Sequence, residues 1–324
     1  MELCRIFSIV LVMFVHSTFQ SVGWDCSSPG VLLLAAFSII GVNVFVLITG
    51  YFSTEPKKIS LVNLLFICFF WMIVRVLVRY FWGQPFKWTD CFFVTKSNWF
   101  IPSYLCLLFF TPVLNAFSDS ASKRTLLGVI GAMIVFEIWF DLLPPHPSIS
   151  LGSQKGYSVI SFISLYLLAR FIRIYGAPQW LQKWSLSFYV LCSIVLAAFA
   201  IISSQTGHPA VRVIYAYSNP LAIFSAISFL LTFEKIRINE NCIINHLGRS
   251  TLPVLLAHSS VFFFYTKQFR YIFTHFSSTK MIIFWILSIV IVFVTSVTFD
   301  QVRLLLWSPI EKALRKRIKK NELF

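Results

Sequence analysis

Charge is what this sequence has least of. Only 12% of its 324 residues are Asp, Glu, Lys or Arg, about half the roughly 25% of a soluble globular chain. Acidic residues are the scarcer kind, 12 against 27 Lys and Arg, for a net charge of +15. No G-x-S-x-G elbow, H-x4-D, Walker A, H-E-x-x-H or Asp-His-His-Cys run occurs. Soluble hydrolase, nucleotide-driven and zinc-protease chemistry therefore lack their usual groups. The cysteines at 4, 26, 68, 91, 106, 192 and 242 form no C-x-x-C pair and no metal-binding spacing. Most stand in apolar runs and read as small apolar fillers. Cys26 and Cys91 are expected on the same non-cytoplasmic side, and sequence alone does not set whether they pair. There is no internal repeat, no low-complexity segment and no appended soluble domain.

What the chain does have is apolar length. It is 58% hydrophobic, with 36 Phe and 10 Trp and a mean hydropathy of +0.80. A soluble protein this apolar would have no polar surface to show water, so the solvent must itself be apolar. Phe and Trp suit lipid contact and interfacial belts. Runs near the ~20 residues a spanning helix needs fall at 6–22, 31–53, 60–82, 99–117, 125–143, 157–175, 185–204, 215–233, 251–268 and 281–300. The expectation is an all-α integral membrane protein of about ten transmembrane helices. A multi-span membrane domain would cover 1–308 and a basic cytoplasmic tail 309–324. Ten spans put both termini on one side. The positive-inside rule makes that side cytoplasmic, with a modest excess of Lys and Arg outside the tail. The positive charge is thus explained by topology and by anionic lipid beside Lys312–Lys320 rather than by nucleic acid. Arg5 followed by an apolar stretch could mimic a signal peptide, but the stretch carries His16 and no small-x-small cleavage pattern follows, so it is read as a retained helix.

Ionisable residues inside such runs are costly and mark functional sites by default. His16 lies within the first span, about 16 Å deeper than Arg5 at the helical rise. Glu137 and Asp141 are four apart, on one face of the fifth span. Arg75 and Arg79 share a face near the outer end of the third, and His258 lies within the ninth. Each also has a plainer reading. A membrane histidine can bridge helices, Arg5 can anchor at headgroups, and Arg75 and Arg79 can snorkel to the surface. Asn43, Thr49 and Tyr51 surround Gly50 and read as packing, while Asp300 and Arg303 look structural.

Arg5-x10-His16 on the first span resembles the signature of the membrane-bound acyltransferase family 3. Gly41-Val-Asn-Val-Phe-Val-Leu-Ile-Thr-Gly50-Tyr51-Phe52 resembles the segment that ends that family's second span. Asn98-Trp-Phe-Ile-Pro-Ser-Tyr104-Leu through Pro112-Val-Leu-Asn115 resembles its Trp-Phe/Tyr segment and Pro-Leu stretch. Leu247-Gly-Arg-Ser-Thr-Leu-Pro-Val-Leu-Leu-Ala-His258 resembles its late Gly-x-x-Ser/Thr segment. Each piece is weak alone, and the ordered set is fairly specific. Thr49 departs from the family's usual Ser, and Lys57-Lys58 stands in place of an Arg-x-x-Arg loop.

The resemblance implies a bacterial inner-membrane O-acyltransferase of the stand-alone type. It would take an acyl group, usually acetyl, from cytoplasmic acetyl-CoA, with no permanently bound cofactor. The acceptor would be a sugar hydroxyl of a surface polysaccharide or lipid-linked glycan. His16 would be base or acyl carrier, with Glu137 orienting or neutralising a cation in the site. Arg5, Lys57 and Lys58 would meet the anionic CoA, and Arg75, Arg79 and His258 the acceptor. The rival reading is a transporter or flippase of a lipid-linked sugar, for which the inverted repeats and paired broken helices are not clearly present.

Overall fold

A computed structural model describes residues 1–24, 28–84, 99–143, 154–206, 210–237, 239–260, 262–276 and 278–321. Cys26 and Cys91 lie outside the described residues. Among those described there is no strand. The helices are α1 (Glu2–Val22), α2 (Pro29–Ser38), α3 (Gly41–Tyr51), α4 (Lys58–Phe81), α5 (Phe100–Ser120), α6 (Lys123–Glu137), α7 (Val159–Tyr175) and α8 (Gln179–Lys183). They continue with α9 (Ser185–Gln205), α10 (Val211–Ile214), α11 (Pro220–Glu234), α12 (Cys242–Arg249), α13 (Thr251–Ser260), α14 (Phe262–His275) and α15 (Ser278–Asn321).

Seven segments among the described residues are long and apolar enough to span, α2 and α3 counting together as Pro29–Tyr51. The expected count of about ten is therefore not reproduced. The three expected spans that fall short are 157–175, 215–233 and 251–268. They correspond to α7 of 17 residues, α11 of 15, and a stretch divided between α13 and α14. The local chemistry explains two of the shortenings. Asn219 caps α11 through a 2.9 Å bond from the Leu221 amide, with Pro220 at its first position, so the helix cannot begin earlier. Ser158 caps α7, behind a turn in which Lys155 has φ +61. At 1.5 Å per residue α11 covers only about 22 Å, short of the roughly 30 Å hydrocarbon core.

The chain divides into two compact units. The first contains Met1–Glu55 and Trp99–Gly248, the second Pro56–Asn98 and Arg249–Phe324. In the first, α3 is central and packs on α1, α7 and α11, while α9 packs on α2 and α11, and α5 and α6 on α7. Ring contacts give the directions. Phe7 meets Phe233 at 5.4 Å, and Phe19 meets Tyr215 at 5.6 Å, so α1 runs antiparallel to α11. Two close crossings set the core. A Cβ on Gly41 would stand 2.7 Å from the Ser8 carbonyl oxygen, and one on Gly50 would stand 2.5 Å from that of Tyr166. Such small residues let membrane helices approach backbone to backbone.

In the second unit, α4, α13, α14 and α15 pack together. Within α15 a buried ion pair joins Asp300 to Arg303, whose Nη2 donates to Oδ2 at 2.9 Å. Arg303 also reaches Asn63 at 3.4 Å, and the Ser250 hydroxyl reaches Asp300. The helix carrying the pair continues to Asn321, through the basic stretch and with Pro309 inside it.

Two stability predictions follow from these contacts. Gly50→Ala should lower the melting midpoint of the purified protein, the overpacking costing about 1–3 kcal/mol. Gly131→Ala on α6, where a Cβ meets open space, should leave it unchanged or raise it; equal effects at both positions would refute the close-crossing argument. Asp300→Leu should destabilise by about 3–5 kcal/mol by leaving a buried guanidinium unpaired, and adding Arg303→Met should restore much of the loss. Thermal unfolding of the single and double variants checks this.

Candidate active site

Arg5 and His16 both lie on α1 but do not touch, being about 16 Å apart along its axis. Arg5 instead donates from Nη1 to Glu2 Oε1 at 2.7 Å. Glu2 in turn packs against Gly248, where any Cβ would overlap its side chain. The sequence reading missed Glu2 as a partner, although the i,i+3 spacing advertised it. His16 is half-buried. Its helix neighbours Ser17 and Thr18 return their hydroxyls to the Phe14 and Val15 carbonyls at 2.7 and 2.9 Å. One turn beyond His16, Phe19 contacts Tyr215 in the segment leading into α11.

At the end of the first unit that carries Arg5, the C-terminal turns of α3, α5, α7 and α11 build a polar network. The Tyr51 hydroxyl donates to the Glu234 carboxylate and accepts from Arg173 Nη1 at 3.3 Å. The Arg173 guanidinium also lies 5.1 Å over the Tyr51 ring. Arg170, almost wholly buried, donates to the Ser53 hydroxyl, the Asp119 carboxylate and, at 3.2 Å, the Ser118 hydroxyl. Tyr166 donates to Asn115 Oδ1 at 2.6 Å, and Asn115 Nδ2 reaches Glu55 Oε1 at 3.2 Å. Thr49 and Tyr104 share a hydroxyl–hydroxyl bond of 3.2 Å. Ser53 holds a left-handed conformation, φ +50, uncommon for a residue with a side chain. From sequence, Arg170 and Arg173 counted only as topological charge. Here one guanidinium locks the segment after α3, and the other stays exposed where an anion could reach it.

Glu137 and Asp141 are both buried, at the junction where α6 passes into a π turn over Ile138–Leu142. π turns inside helices recur at functional sites. Ser161 and Ser164 of α7 face the Glu137 carboxyl, whose Oε1 has no hydrogen-bond partner among the described residues.

The other expected site residues belong to the second unit. Lys57 and Lys58 are exposed at the start of α4, and Arg75 and Arg79 are half-buried further along it. His258 is fully buried on α13, its Nδ1 2.7 Å from the Val254 carbonyl oxygen, with the Tyr265 ring tilted against it at 5.7 Å. Among the described residues no group of three His, Cys, Asp or Glu is arranged to hold a metal ion.

A family model described as an acyltransferase domain matches residues 1–300. The chain belongs to acyltransferase family 3. The match covers nearly the whole chain, including every site candidate named above, and it makes this protein an acyltransferase. No curated protein and no solved structure matches the chain.

The network separates two arginines by role. Arg170→Met should lower the melting midpoint, since charged hydrogen bonds are worth about 1.5–3 kcal/mol each. Arg173→Met, an exposed position, should leave it nearly unchanged. A large melting shift for Arg173→Met would contradict the assignment.

Proposed function

We propose that this acyltransferase moves an acyl group, acetyl foremost, from cytoplasmic acetyl-CoA to a sugar hydroxyl of a surface polysaccharide or lipid-linked glycan. It would work in a bacterial inner membrane with both termini cytoplasmic. The family match over residues 1–300, with Arg5 and His16 on one unbroken helix inside it, carries the reading. Family membership favours it over the flippase alternative.

In the reaction the acceptor oxygen forms an ester bond to the thioester carbonyl carbon, and the carbon–sulfur bond breaks. The hydroxyl proton ends on the departing sulfur, giving the CoA thiol. His16 serves either by taking that proton as general base or by carrying the acyl group on a ring nitrogen. Glu137, buried beside two serine hydroxyls, is a second proton-holding group. Arg5, oriented by Glu2, and the exposed Arg173 donate to phosphate oxygens of CoA, the contact guanidinium geometry suits best. In the second unit, Lys57 and Lys58 are the candidates for meeting an anion, and Arg75, Arg79 and His258 the acceptor-side candidates. No prosthetic group enters the scheme.

The decisive experiment pairs two measurements on His16→Ala. O-acyl content of the surface glycan should fall to background in cells making the variant at wild-type level. CoA release from acetyl-CoA by the purified variant should drop by 10²-fold or more, the order of a lost general base, about 10²–10⁴. Unchanged glycan acylation in a well-expressed variant would remove His16 from the mechanism.

A further inference from the structure

Three helices of the first unit begin close together. α5 starts just after Trp99, α7 just after Tyr157 and its cap Ser158, and α11 just after the segment Tyr215–Asn219. The Trp99 ring lies 4.5 Å from Tyr157 and 5.8 Å from Tyr217, and those two tyrosines are 4.9 Å apart. Tyr217 is buried, and Trp99 and Tyr157 are part exposed.

The floor of this cluster is fastened from two sides. The Tyr217 amide donates to the Lys155 carbonyl at 3.0 Å, and its carbonyl accepts from Asn43 Nδ2 at 2.9 Å. Gly156, at φ +88, lies so close that a Cβ would strike Tyr217. Beside this anchor stand two buried polar atoms. Asn43 is 0% exposed and Ser218 1% exposed. Yet Asn43 Oδ1 and Ser218 Oγ have no hydrogen-bond partner among the described residues. A buried polar atom without a partner is expensive and rare. Non-helical backbone at membrane depth is tolerated where protein buries it or where it lines a water-filled cavity.

We infer that this cluster is the subsite for the acceptor sugar, a pyranose ring lying against Trp99 and Tyr157 with hydroxyls turned to Asn43 and Ser218. Aromatic faces carry negative potential and attract the polarised C–H face of a sugar. A carboxamide oxygen can only accept, so it selects a hydroxyl or amide donor, and the Ser218 hydroxyl can take either part. A plain alkyl alcohol would leave one of the two orphan atoms unpaired. The site also lies where the chemistry needs it. Tyr215, two residues before Tyr217, touches Phe19, one helical turn from His16. The word acceptor rests on the acyl-transfer reading; the sugar selectivity does not.

The test is saturation-transfer NMR on the full chain in lipid nanodiscs, irradiating protein aromatic protons and observing methyl β-glucopyranoside and methyl β-galactopyranoside. Transfer to the sugar ring C–H protons is expected from wild type and from Trp180→Leu, an exposed tryptophan elsewhere. In Trp99→Leu it should fall about tenfold, the scale of one lost aromatic contact. No transfer in wild type, or equal transfer in Trp99→Leu, overturns the subsite. If Trp99→Leu melts early, Ser218→Ala decides in its place, with weakened transfer supporting the subsite and full transfer overturning it. Acceptor-free CoA release from acetyl-CoA is measured in parallel. Its absence in wild type counts against the donor reading and leaves the NMR result standing.

Discussion

Between α3 and α7 there is no room for a methyl group. The Tyr166 carbonyl oxygen and Cα stand 2.5 and 2.9 Å from where a Gly50 Cβ would sit. That one approach fixes the rest of the first unit. It brings Tyr51 and Ser53 against the α7 face that carries Tyr166, Arg170 and Arg173, residues spaced so that they line up along a helix. The Arg170 bonds to Ser53 and Asp119 and the Arg173 contact with Tyr51 depend on the same crossing. On the other side of α3, Gly41 plays the matching part toward α1, which keeps the helix bearing Arg5 and His16 in place.

The same helices carry different chemistry at their two ends. At their C-terminal turns α7 and α11 supply guanidinium and carboxylate groups, tied through Tyr51 and Glu234. At their N-terminal starts they supply aromatic rings and orphan polar atoms. Their shortness makes this possible, because an entry segment that dips into the protein can place backbone and side chains where a full-length helix would have only apolar ones. α1 passes both ends, with Arg5 near one and Phe19 touching the entry to α11 at the other.

The sequence made most of the membrane architecture legible, because a spanning helix is specified by apolar length, which composition displays directly. The short helices were harder to see. α7 and α11 fall within apolar runs, and their late starts depend on Ser158, Asn219 and Pro220, which read from sequence as ordinary punctuation. Arg5 and His16 stood out because charge inside an apolar run is rare. Arg170 and Arg173 did not, because basic residues near a helix end are what topology alone would place there. Asn43 read as packing beside a glycine, and only the fold brings it to Tyr217, 174 positions away. Asp300 and Arg303 read as structural and form a buried pair.

The length of α15 has a mechanical consequence. Its 44 residues make a rod of about 66 Å, where a bilayer with its headgroups is about 40–45 Å thick. Exposed apolar side chains run from Ile282 through Val294 to Leu306, so a lipid-facing surface of this kind has no preferred depth of its own. Such a rod could slide along its axis with little change in contact with lipid. Lys312, Lys316 and Arg317, exposed on the same continuous helix, remove that freedom, since drawing them into hydrocarbon costs a few kcal/mol each. The basic stretch therefore works as a depth stop, setting the axial register of the helix that carries Asp300 and Arg303.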